Sequence, residues 1–596
     1  MSILRYLDKV FLFLSFFVWN ALVYLLISNV SRGFDITDES YYLLTALYPD
    51  KVLSTLTHEG YYTGFLYMLS GYNLANFRLV GILILLAFSI WFALELYKYI
   101  ANKYNLSVNL LDKLFFIIPI SATVLSYYKL WLLTPSYNWL ALISVMLFLI
   151  ALMRIVRNKD NNYDKFISCD YILLSFSLSL AFMAKPTTAL TLVFLSVLFI
   201  IYEYKNIHLK KALPSIIVLT STIIFVHITF LDGGFSTYYD RLQEGMERLS
   251  LLGGGHTLNN RYTAMLELIQ VFFFEKFYFH KINYLYVLIF MTITIVFIKY
   301  KKNTLSMFVI FLLLVLSLYA YLIFSSDLGL HYRLVWIRAV ELLLFNLVLI
   351  FLAALFMPNK IIFMLQISKA IPFLLIITLG SVAYVFGTNN QVIYAMSSSI
   401  VFISAPIIVL NYILDRKLNI RMFTAVSGFI MSLIVYMSIQ NAYIHPYRLI
   451  SSMKEQNQKV DFLGELRVDA KTKKYIEDLQ RIKNNNIQKN EELFLIDMTG
   501  GSPGANIIIN AGFFGEQWLY GGYPNSNEFT EKILKKYIKS IHFQEAWILV
   551  ARDGKRQLDL QILKNLNLHF PEQYKLLGTV RTAHRNEIQE LWAPKW

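Results

Sequence analysis

Long apolar runs recur along this chain and constrain its fold more than any other feature. A helix needs about 20 apolar residues to cross a bilayer core of roughly 30 Å. Thirteen runs meet or approach that length: residues 10–30, 79–97, 114–128, 138–153, 170–184, 187–203, 212–231, 283–298, 304–324, 334–357, 370–386, 392–414 and 422–440. We therefore predict an all-α polytopic membrane bundle with about 13 transmembrane helices in residues 1–440.

The composition excludes several other classes of protein. Of the 596 residues, 57% are hydrophobic and 16% are charged. Soluble domains carry about 25% charged residues, so this chain cannot be a string of soluble domains. A single cysteine, Cys169, excludes a disulfide scaffold. The net charge of +15 is spread between apolar runs rather than gathered in one patch, so we expect no nucleic acid partner.

The positions of Lys and Arg predict the orientation of the bundle. Short cytoplasmic loops of membrane proteins are enriched in both residues. With the N-terminus in the cytoplasm, the inner loops carry most of them, whereas the short outer loops offer only Lys129, Lys185 and Arg333. We therefore predict a cytoplasmic N-terminus and an extracytoplasmic C-terminus.

Three long segments are predicted outside the cytoplasm: residues 31–78, 232–282 and the tail 441–596. In the tail, β-type runs at Leu493–Asp497, Ala546–Ala551 and Lys575–Val580 alternate with helical stretches near 526–540 and 556–565. Strands interleaved with helices predict a small C-terminal α/β domain. Residues 499–504 read Thr-Gly-Gly-Ser-Pro-Gly, a predicted tight turn that lacks the lysine and spacing of a nucleotide P-loop.

Three carboxylates open the first outer segment. Asp35, Asp38 and Glu39 lie within five residues and would crowd one face of a helical turn. Crowded carboxylates suit a general base, a divalent-metal site, or both. The alternative is a solvated helix N-terminus, where acidic residues are favourable because of the helix dipole. The residues alone leave both interpretations open.

Cations are predicted at the same membrane face. Lys185 ends the fifth span, and the tenth span opens with His331, Arg333 and Arg338, followed by Glu341. Lys and Arg at this depth suit a lipid phosphate. Equally, Lys185 could be a snorkelling anchor, and Arg338 with Glu341 a structural ion pair.

The second outer segment contributes one further candidate. Asp240 stands between Asp232-Gly233-Gly234 and the triglycine 253–255. We consider Asp240 as a second metal ligand or an acceptor contact.

At these residues the chain resembles the GT-C class of membrane glycosyltransferases. Members place an Asp-Glu or Asp-x-Asp pair in the first outer loop, followed by tyrosine, and Asp38-Glu39 followed by Tyr41-Tyr42 matches that pattern. Short motifs at predicted outer ends also resemble bacterial members: Thr134-Pro135-Ser136-Tyr137-Asn138, Ala184-Lys185-Pro186-Thr187 and Gly387-Thr388-Asn389-Asn390. The resemblance covers residues 1–440 as architecture.

The resemblance implies a function and a set of site residues. It implies inverting transfer of a sugar from a polyprenyl-phosphate donor to a glycan or lipid acceptor, outside the cytoplasm of a bacterial inner membrane. Asp38 corresponds to the catalytic carboxylate and Glu39 to its neighbour. The substrate-binding candidates are Lys185, Arg333, Arg338, His331, Tyr41, Tyr137 and Asn138. A divalent metal, Mg or Mn, would bind Asp35 and Asp38, with Asp240 as a further candidate, and no nucleotide or redox cofactor is expected.

Two other functions stay open on the sequence. A transporter or flippase of lipid-linked sugars would share the membrane bundle, although such proteins usually carry charges at the bilayer midplane and have repeated halves. A polysaccharide polymerase or ligase would depend on His331 and Arg333 more than on the early acidic pair.

Overall fold

The computed structural model of the protein describes residues 2–106, 108–158, 167–203, 209–253, 360–387, 392–419, 421–487 and 492–595. The helices before the tail are α1 (Ser2–Ile27), α2 (Asp38–Leu47), α3 (Glu59–Leu69), α4 (Leu74–Lys103), α5 (Leu110–Val124), α6 (Tyr137–Arg157), α7 (Cys169–Ala184), α8 (Pro186–Glu203), α9 (Leu209–Val226), α10 (Phe235–Leu252), α11 (Lys360–Val385), α12 (Val392–Met396), α13 (Val401–Leu418) and α14 (Met422–Ile444). Single turns of other helix types follow at Leu125–Tyr128, His227–Leu231 and Ser397–Ser399.

Most of these helices have apolar side chains, which suit the hydrocarbon core of a membrane. They are helical because that core offers backbone groups no hydrogen-bond partner outside the helix. Within the described ranges, eight helices are long and apolar enough to cross a membrane. The predicted span 170–184 appears as the shorter apolar helix α7, and 392–414 appears as α12 followed by α13. The polytopic helical fold is thereby confirmed. The spans 283–298, 304–324 and 334–357 lie outside the described residues, so the count of thirteen stays a prediction.

Several Lys and Arg side chains of the predicted cytoplasmic loops lie together at one end of the bundle. Buried Glu95 pairs with Lys98 at 2.9 Å and also with Arg157. Buried Asp112 pairs with Arg421 at 2.7 Å. These pairs join the ends of α4, α5, α6 and α14, so Lys98, Arg157 and Arg421 of three predicted inner loops lie at one end of the bundle. The side of the membrane they face stays a prediction.

The tail folds into a small α/β region, as predicted. A hairpin of β1 (Gln458–Asp461) and β2 (Glu465–Val468) precedes a four-stranded sheet of β3 (Leu495–Asp497), β4 (Trp547–Val550), β5 (Tyr574–Arg581) and β6 (Ile588–Pro594). The sheet order is β3-β4-β6-β5, and only the β3–β4 pair is parallel. The helices are α15 (Ala470–Asn486), α16 (Gly504–Ile508), α17 (Ser526–Lys535), α18 (Ile541–Gln544) and α19 (Gln561–Asn565). The sequence analysis missed the hairpin, α15 and β6.

The C-terminal domain packs directly on the first outer segment. The amide of Gly33 donates to the Arg467 carbonyl at 2.8 Å, and the amide of Gly504 donates to the Ile36 carbonyl at 2.9 Å. Apolar side chains of both parts, such as Phe34 and Ile476, share one hydrophobic core. The loop that carries the acidic cluster is therefore held between the bundle and the C-terminal domain.

Helix α10 forms a second contact with that domain. Glu244 pairs with Lys536 at 2.6 Å, and Glu247 pairs with Lys532. Both lysines lie at the end of α17. These contacts bring the second outer segment to the same end of the molecule as the first.

Candidate functional site

Asp35 organises the turn that starts α2. Its Oδ1 accepts hydrogen bonds from the backbone amide and the hydroxyl of Thr37, at 2.9 and 2.6 Å, and its Oδ2 accepts the amide of Asp38 at 3.0 Å. The side chain is 5% exposed. Burial raises the pKa of Asp35 to about 6, and the charge of Asp38 adds to that shift. Asp35 thus caps the free amides at the helix start, as aspartate often does.

Glu39 is held in a buried ion pair. Its two oxygens accept hydrogen bonds from Arg78 at 2.7 to 2.9 Å, and Thr134 donates to Oε1. Arg78 also donates to the backbone carbonyls of Val30 and Gly33. Glu39 therefore fixes the first loop against α4, and its predicted catalytic role stays a prediction.

Asp38 is the carboxylate of the three that substrate could reach. Its side chain is 24% exposed, and its Oδ2 lies 3.2 Å from Nη1 of Arg448. Arg448 also donates to the Thr37 hydroxyl at 2.6 Å. Its backbone has φ of +58°, an unfavourable region for a non-glycine residue. The linker between α14 and the C-terminal domain thus places the Arg448 guanidinium within ion-pairing distance of Asp38, the predicted base.

Two tyrosines connect Asp38 to Lys185. The rings of Tyr42 and Tyr137 meet edge to face, with centroids 6.0 Å apart. Asp38 lies one turn before Tyr42 on α2. Burial raises the pKa of Tyr42, and neighbouring Tyr137 and the charge of Asp38 add to that shift. Nζ of Lys185 lies 5.3 Å from the Tyr137 ring centroid. Asp38, Tyr42, Tyr137, Lys185 and Arg448 are called the Asp38 site below.

Lys185 is buried without a carboxylate partner in the part of the chain described. It is 4% exposed, and its Nζ donates to the Tyr384 carbonyl at 3.1 Å and lies 4.9 Å from the Tyr384 ring centroid. A buried ammonium that is not paired with an anion is costly. The position is thus electrostatically suited to an anionic ligand.

Glu59 adds a buried carboxylate that the sequence analysis did not select. It is 1% exposed, and neither oxygen makes a hydrogen bond of good geometry to a described residue. Burial raises the pKa of Glu59 to about 6, while the nearby Thr57 hydroxyl opposes part of that shift.

Tyr41 contacts the C-terminal domain instead of Lys185. Its ring centroid lies 6.3 Å from that of Trp518 and 6.4 Å from that of Tyr520, and these two rings stack at 4.8 Å. Arg248 of α10 lies 5.9 Å from the Tyr520 centroid and pairs with buried Glu516 at 3.3 Å. Two aromatic side chains of the C-terminal domain and one arginine of α10 thus lie beside Tyr41.

The three sequence motifs that resembled the GT-C class meet here as far as they are described. Thr134 and Tyr137 contact Glu39 and Lys185 respectively. Thr187 donates to the Phe386 carbonyl at 2.7 Å, next to Gly387. Oδ1 of Asn138 is buried and finds no hydrogen-bond partner among the described residues.

Other predicted residues lie elsewhere. His331, Arg333 and Arg338 fall outside the described residues, so their predicted roles stay predictions. Asp240 is exposed on α10, where its neighbour Arg241 is buried and pairs with Asp232 at 3.0 Å.

The described residues do not form a metal site. Over the described ranges, no group of three or more His, Cys, Asp or Glu side chains is arranged to hold a metal ion. The oxygens of Asp35 are occupied by backbone amides and a hydroxyl. The predicted binding of Mg or Mn by Asp35, Asp38 and Asp240 stays a prediction.

Arg448 and Trp518 are the clearest residues that sequence reasoning missed. Arg448 follows the last predicted span by eight residues. The criterion that selected Lys185 and Arg333, a cation at the outer end of a span, also selects Arg448 when it is applied to residues 441–450. Trp518 carries no such signal, because only the folded tail brings it beside Tyr41.

No protein-family model matches the sequence, and no curated protein matches it. Among solved structures, the chain is similar to ArnT from Cupriavidus metallidurans bound to undecaprenyl phosphate, with 10% identity, a TM-score of 0.39, and coverage of 98% of this chain and 97% of that one. At that TM-score the similarity carries no argument about function, which rests on the side chains of the Asp38 site.

Proposed function

We propose that the protein is an integral membrane glycosyltransferase. It moves a sugar from a polyprenyl-phosphate donor to a hydroxyl of a cell-surface glycan or lipid, on the extracytoplasmic face of a bacterial inner membrane. One observation carries the proposal: Asp38, a reachable carboxylate, lies one turn before Tyr42 on α2, and the Tyr42 ring packs against Tyr137, whose ring centroid is 5.3 Å from Nζ of buried Lys185. A base and a phosphate-binding cation in one site suit substitution at a sugar C1 with lipid phosphate as the leaving group.

The proposed reaction assigns a role to each charge. The Asp38 carboxylate accepts the proton of the acceptor hydroxyl as that oxygen forms a bond to C1. The bond between C1 and the phosphate oxygen breaks, and its electron pair leaves with the lipid phosphate. Lys185 stabilises the charge that develops there. Attack from the Asp38 side with departure toward Lys185 gives inversion at C1.

The surroundings support these roles by limiting contact with water. Buried Tyr42 and half-buried Tyr137 connect the two charged groups. A site of low dielectric constant strengthens the attraction between an ammonium and a departing phosphate. Lys185 lies between α7 and α8, two apolar helices, where a lipid phosphate could arrive with its tail still in the bilayer.

The test is transfer by an Asp38→Asn variant. The full chain in nanodiscs would receive polyprenyl-phosphate sugars and envelope glycan or lipid acceptors, with released polyprenyl phosphate and product quantified by mass spectrometry. We expect turnover to fall by about 10²- to 10⁴-fold, because the amide cannot accept the proton. Asp240→Asn, which alters an exposed aspartate on α10, is the matched control and should keep full turnover. Undiminished transfer by Asp38→Asn would refute the proposal.

A further inference from the structure

The C-terminal domain places two more arginines near Arg448. Guanidinium carbons of Arg448 and Arg556 each lie 5.9 Å from the ring centroid of Trp518. A Cβ built on Gly501 would lie 2.8 Å from Nη1 of Arg585 and 3.6 Å from Cδ of Arg556. These contacts gather Arg448, Arg556 and Arg585, called the arginine cluster below, next to Asp38.

The positive charges of three neighbouring arginines repel one another, so their proximity needs an explanation. Burial lowers the pKa of Arg585, and the charges of Arg556 and Arg448 lower it further. The same three arginines add to the effect of burial in lowering the pKa of His584. Nη1 of Arg556 is buried and has no hydrogen-bond partner in the described part of the chain. The cluster is thus a region of positive potential with an unused donor.

The fixed carboxylates nearby do not neutralise the cluster. Asp38 pairs with Arg448, and the oxygens of Asp35 are held by the turn before α2. Glu587 raises the pKa of Arg585 only as a lesser effect. Among the described residues, no carboxylate lies within ion-pairing distance of Arg556 or Arg585, whereas neighbouring Arg552 pairs with Glu590 at 3.0 Å.

The glycine-rich turn at residues 499–504, which follows β3, contacts the arginine cluster at Gly501. Asp497 accepts the amides of Thr499 and Ser502, and Ile36 accepts the amide of Gly504, so these donors are already used. The turn therefore does not bind phosphate in the manner of a P-loop, in agreement with its sequence. The turn leaves room for the arginine side chains, because Gly501 has no side chain at the place that Arg585 and Arg556 occupy.

We propose that Arg448, Arg556 and Arg585 bind a phosphate or phosphodiester group of the acceptor, next to Asp38. This inference rests on the proposed function and specifies its acceptor as an anionic molecule. Guanidinium groups match the geometry of phosphate oxygens, and several together bind one group well. The acceptor is the substrate concerned because the cluster belongs mainly to the C-terminal domain, whereas Lys185 lies between apolar helices at the place proposed for the donor phosphate.

Binding there also affects the proposed base. Arg448 pairs with Asp38 at 3.2 Å. A phosphate group that binds Arg448 competes for this guanidinium and releases the Asp38 carboxylate toward the acceptor hydroxyl. Asp38 and an anionic ligand therefore compete for one arginine.

The experiment measures binding of inorganic pyrophosphate to the full chain in zwitterionic nanodiscs by isothermal titration calorimetry. The double variant Arg556→Gln with Arg585→Gln should bind at least about tenfold more weakly than the wild type, since two charge-assisted contacts are lost. Asp38→Asn should bind as tightly as the wild type or more tightly. The matched control is Arg552→Gln, because Arg552 also lies 5.9 Å from a tryptophan ring, that of Trp592, but is paired with Glu590. It should bind within about twofold of the wild type.

Equal pyrophosphate affinity in the wild type and the double variant would overturn the inference. So would a double variant that loses undecaprenyl phosphate binding and keeps pyrophosphate binding, since the cluster would then serve the donor. These results are separate from the proposed function, which fails if Asp38→Asn retains transfer. Pyrophosphate binding requires no turnover, so it can be measured whether or not Asp38→Asn retains sugar transfer.

Discussion

At the scale of single residues, adjacent carboxylates in the first loop have different surroundings. Asp38 is 24% exposed and meets Arg448, whereas Glu39 is 2% exposed and meets Arg78. Successive residues on a helix point about 100° apart, so one of two neighbours can face the core while the other faces the site. The sequence predicted an acidic pair near the catalytic position, but it could not tell which member would be buried.

Asp35 has surroundings that its residue type does not reveal. Its spacing suggested a metal ligand, a role that stays a prediction, and its hydrogen bonds in the structure are those of a turn that caps a helix. Sequence reasoning had named the helix N-terminus as an alternative for this segment. Whether Asp35 caps the helix depends on whether the backbone amides of residues 37–39 donate hydrogen bonds to its carboxylate. That arrangement is a property of the folded loop.

Glu59 yields a prediction about pH. Its pKa is raised by burial from 4.5 to about 6, so its contribution to stability is complete below about pH 4.5 and is lost as the pH rises through 6. Replacing it with Gln removes the cost of a buried charge. We expect Glu59→Gln to be more stable than the wild type at pH 7.5, by about 2 kcal/mol, and nearly equal to it at pH 4.5.

Thermal unfolding of the purified protein across this pH range would measure the effect. Asp240→Asn changes an exposed carboxylate and should follow the wild-type curve at every pH. A Glu59→Gln variant that unfolds at a lower temperature than the wild type at pH 7.5 would contradict the account.

At the scale of elements, α2 is positioned from both sides. Glu39 attaches its first turn to α4 through Arg78, and α16 contacts it through Gly504. The sequence predicted most spans from apolar length and three strands of the tail from short β-type runs. It could not predict the contact between α2 and α16, because nothing local in either segment encodes a partner far away along the chain.

Gly504 tests this contact. A Cβ there would lie 2.7 Å from Oγ of Ser40 and 2.9 Å from Cα of Ile36, so Gly504→Ala forces α16 away from α2. Such overpacking typically costs about 1–3 kcal/mol. We expect faster hydrogen–deuterium exchange in residues 34–47, measured by mass spectrometry on the full chain, together with lower transfer activity.

Gly554→Ala is the control for this variant. Its added Cβ would lie 2.8 Å from the Ala551 carbonyl oxygen, so it strains the C-terminal domain away from α2. Exchange in residues 34–47 should stay at the wild-type rate in this variant. If both variants accelerate exchange there equally, the close approach of α16 to α2 is not what positions the loop.

At the scale of the whole molecule, the bundle and the C-terminal domain act as one unit. The charged loops predicted to be cytoplasmic are tied together by Glu95 and Asp112 at one end. At the other end the tail closes over the first loop and contributes Arg448 and Trp518 beside Asp38 and Tyr41. Apolar length and the distribution of Lys and Arg are properties of a sequence, so the architecture was predictable, whereas the share of the tail in the site depends on tertiary contacts.

The central claim is that Asp38 and Lys185 serve one transfer reaction in separate roles, Asp38 toward the acceptor and Lys185 toward the donor phosphate. The most direct test measures undecaprenyl phosphate binding and sugar transfer for the wild type, Lys185→Met and Asp38→Asn. We predict that Lys185→Met loses at least about tenfold in affinity for undecaprenyl phosphate, because the cation that holds the phosphate is gone. Asp38→Asn should bind it as the wild type does and fail to transfer sugar. Wild-type undecaprenyl phosphate affinity in Lys185→Met, with transfer intact, would contradict the account.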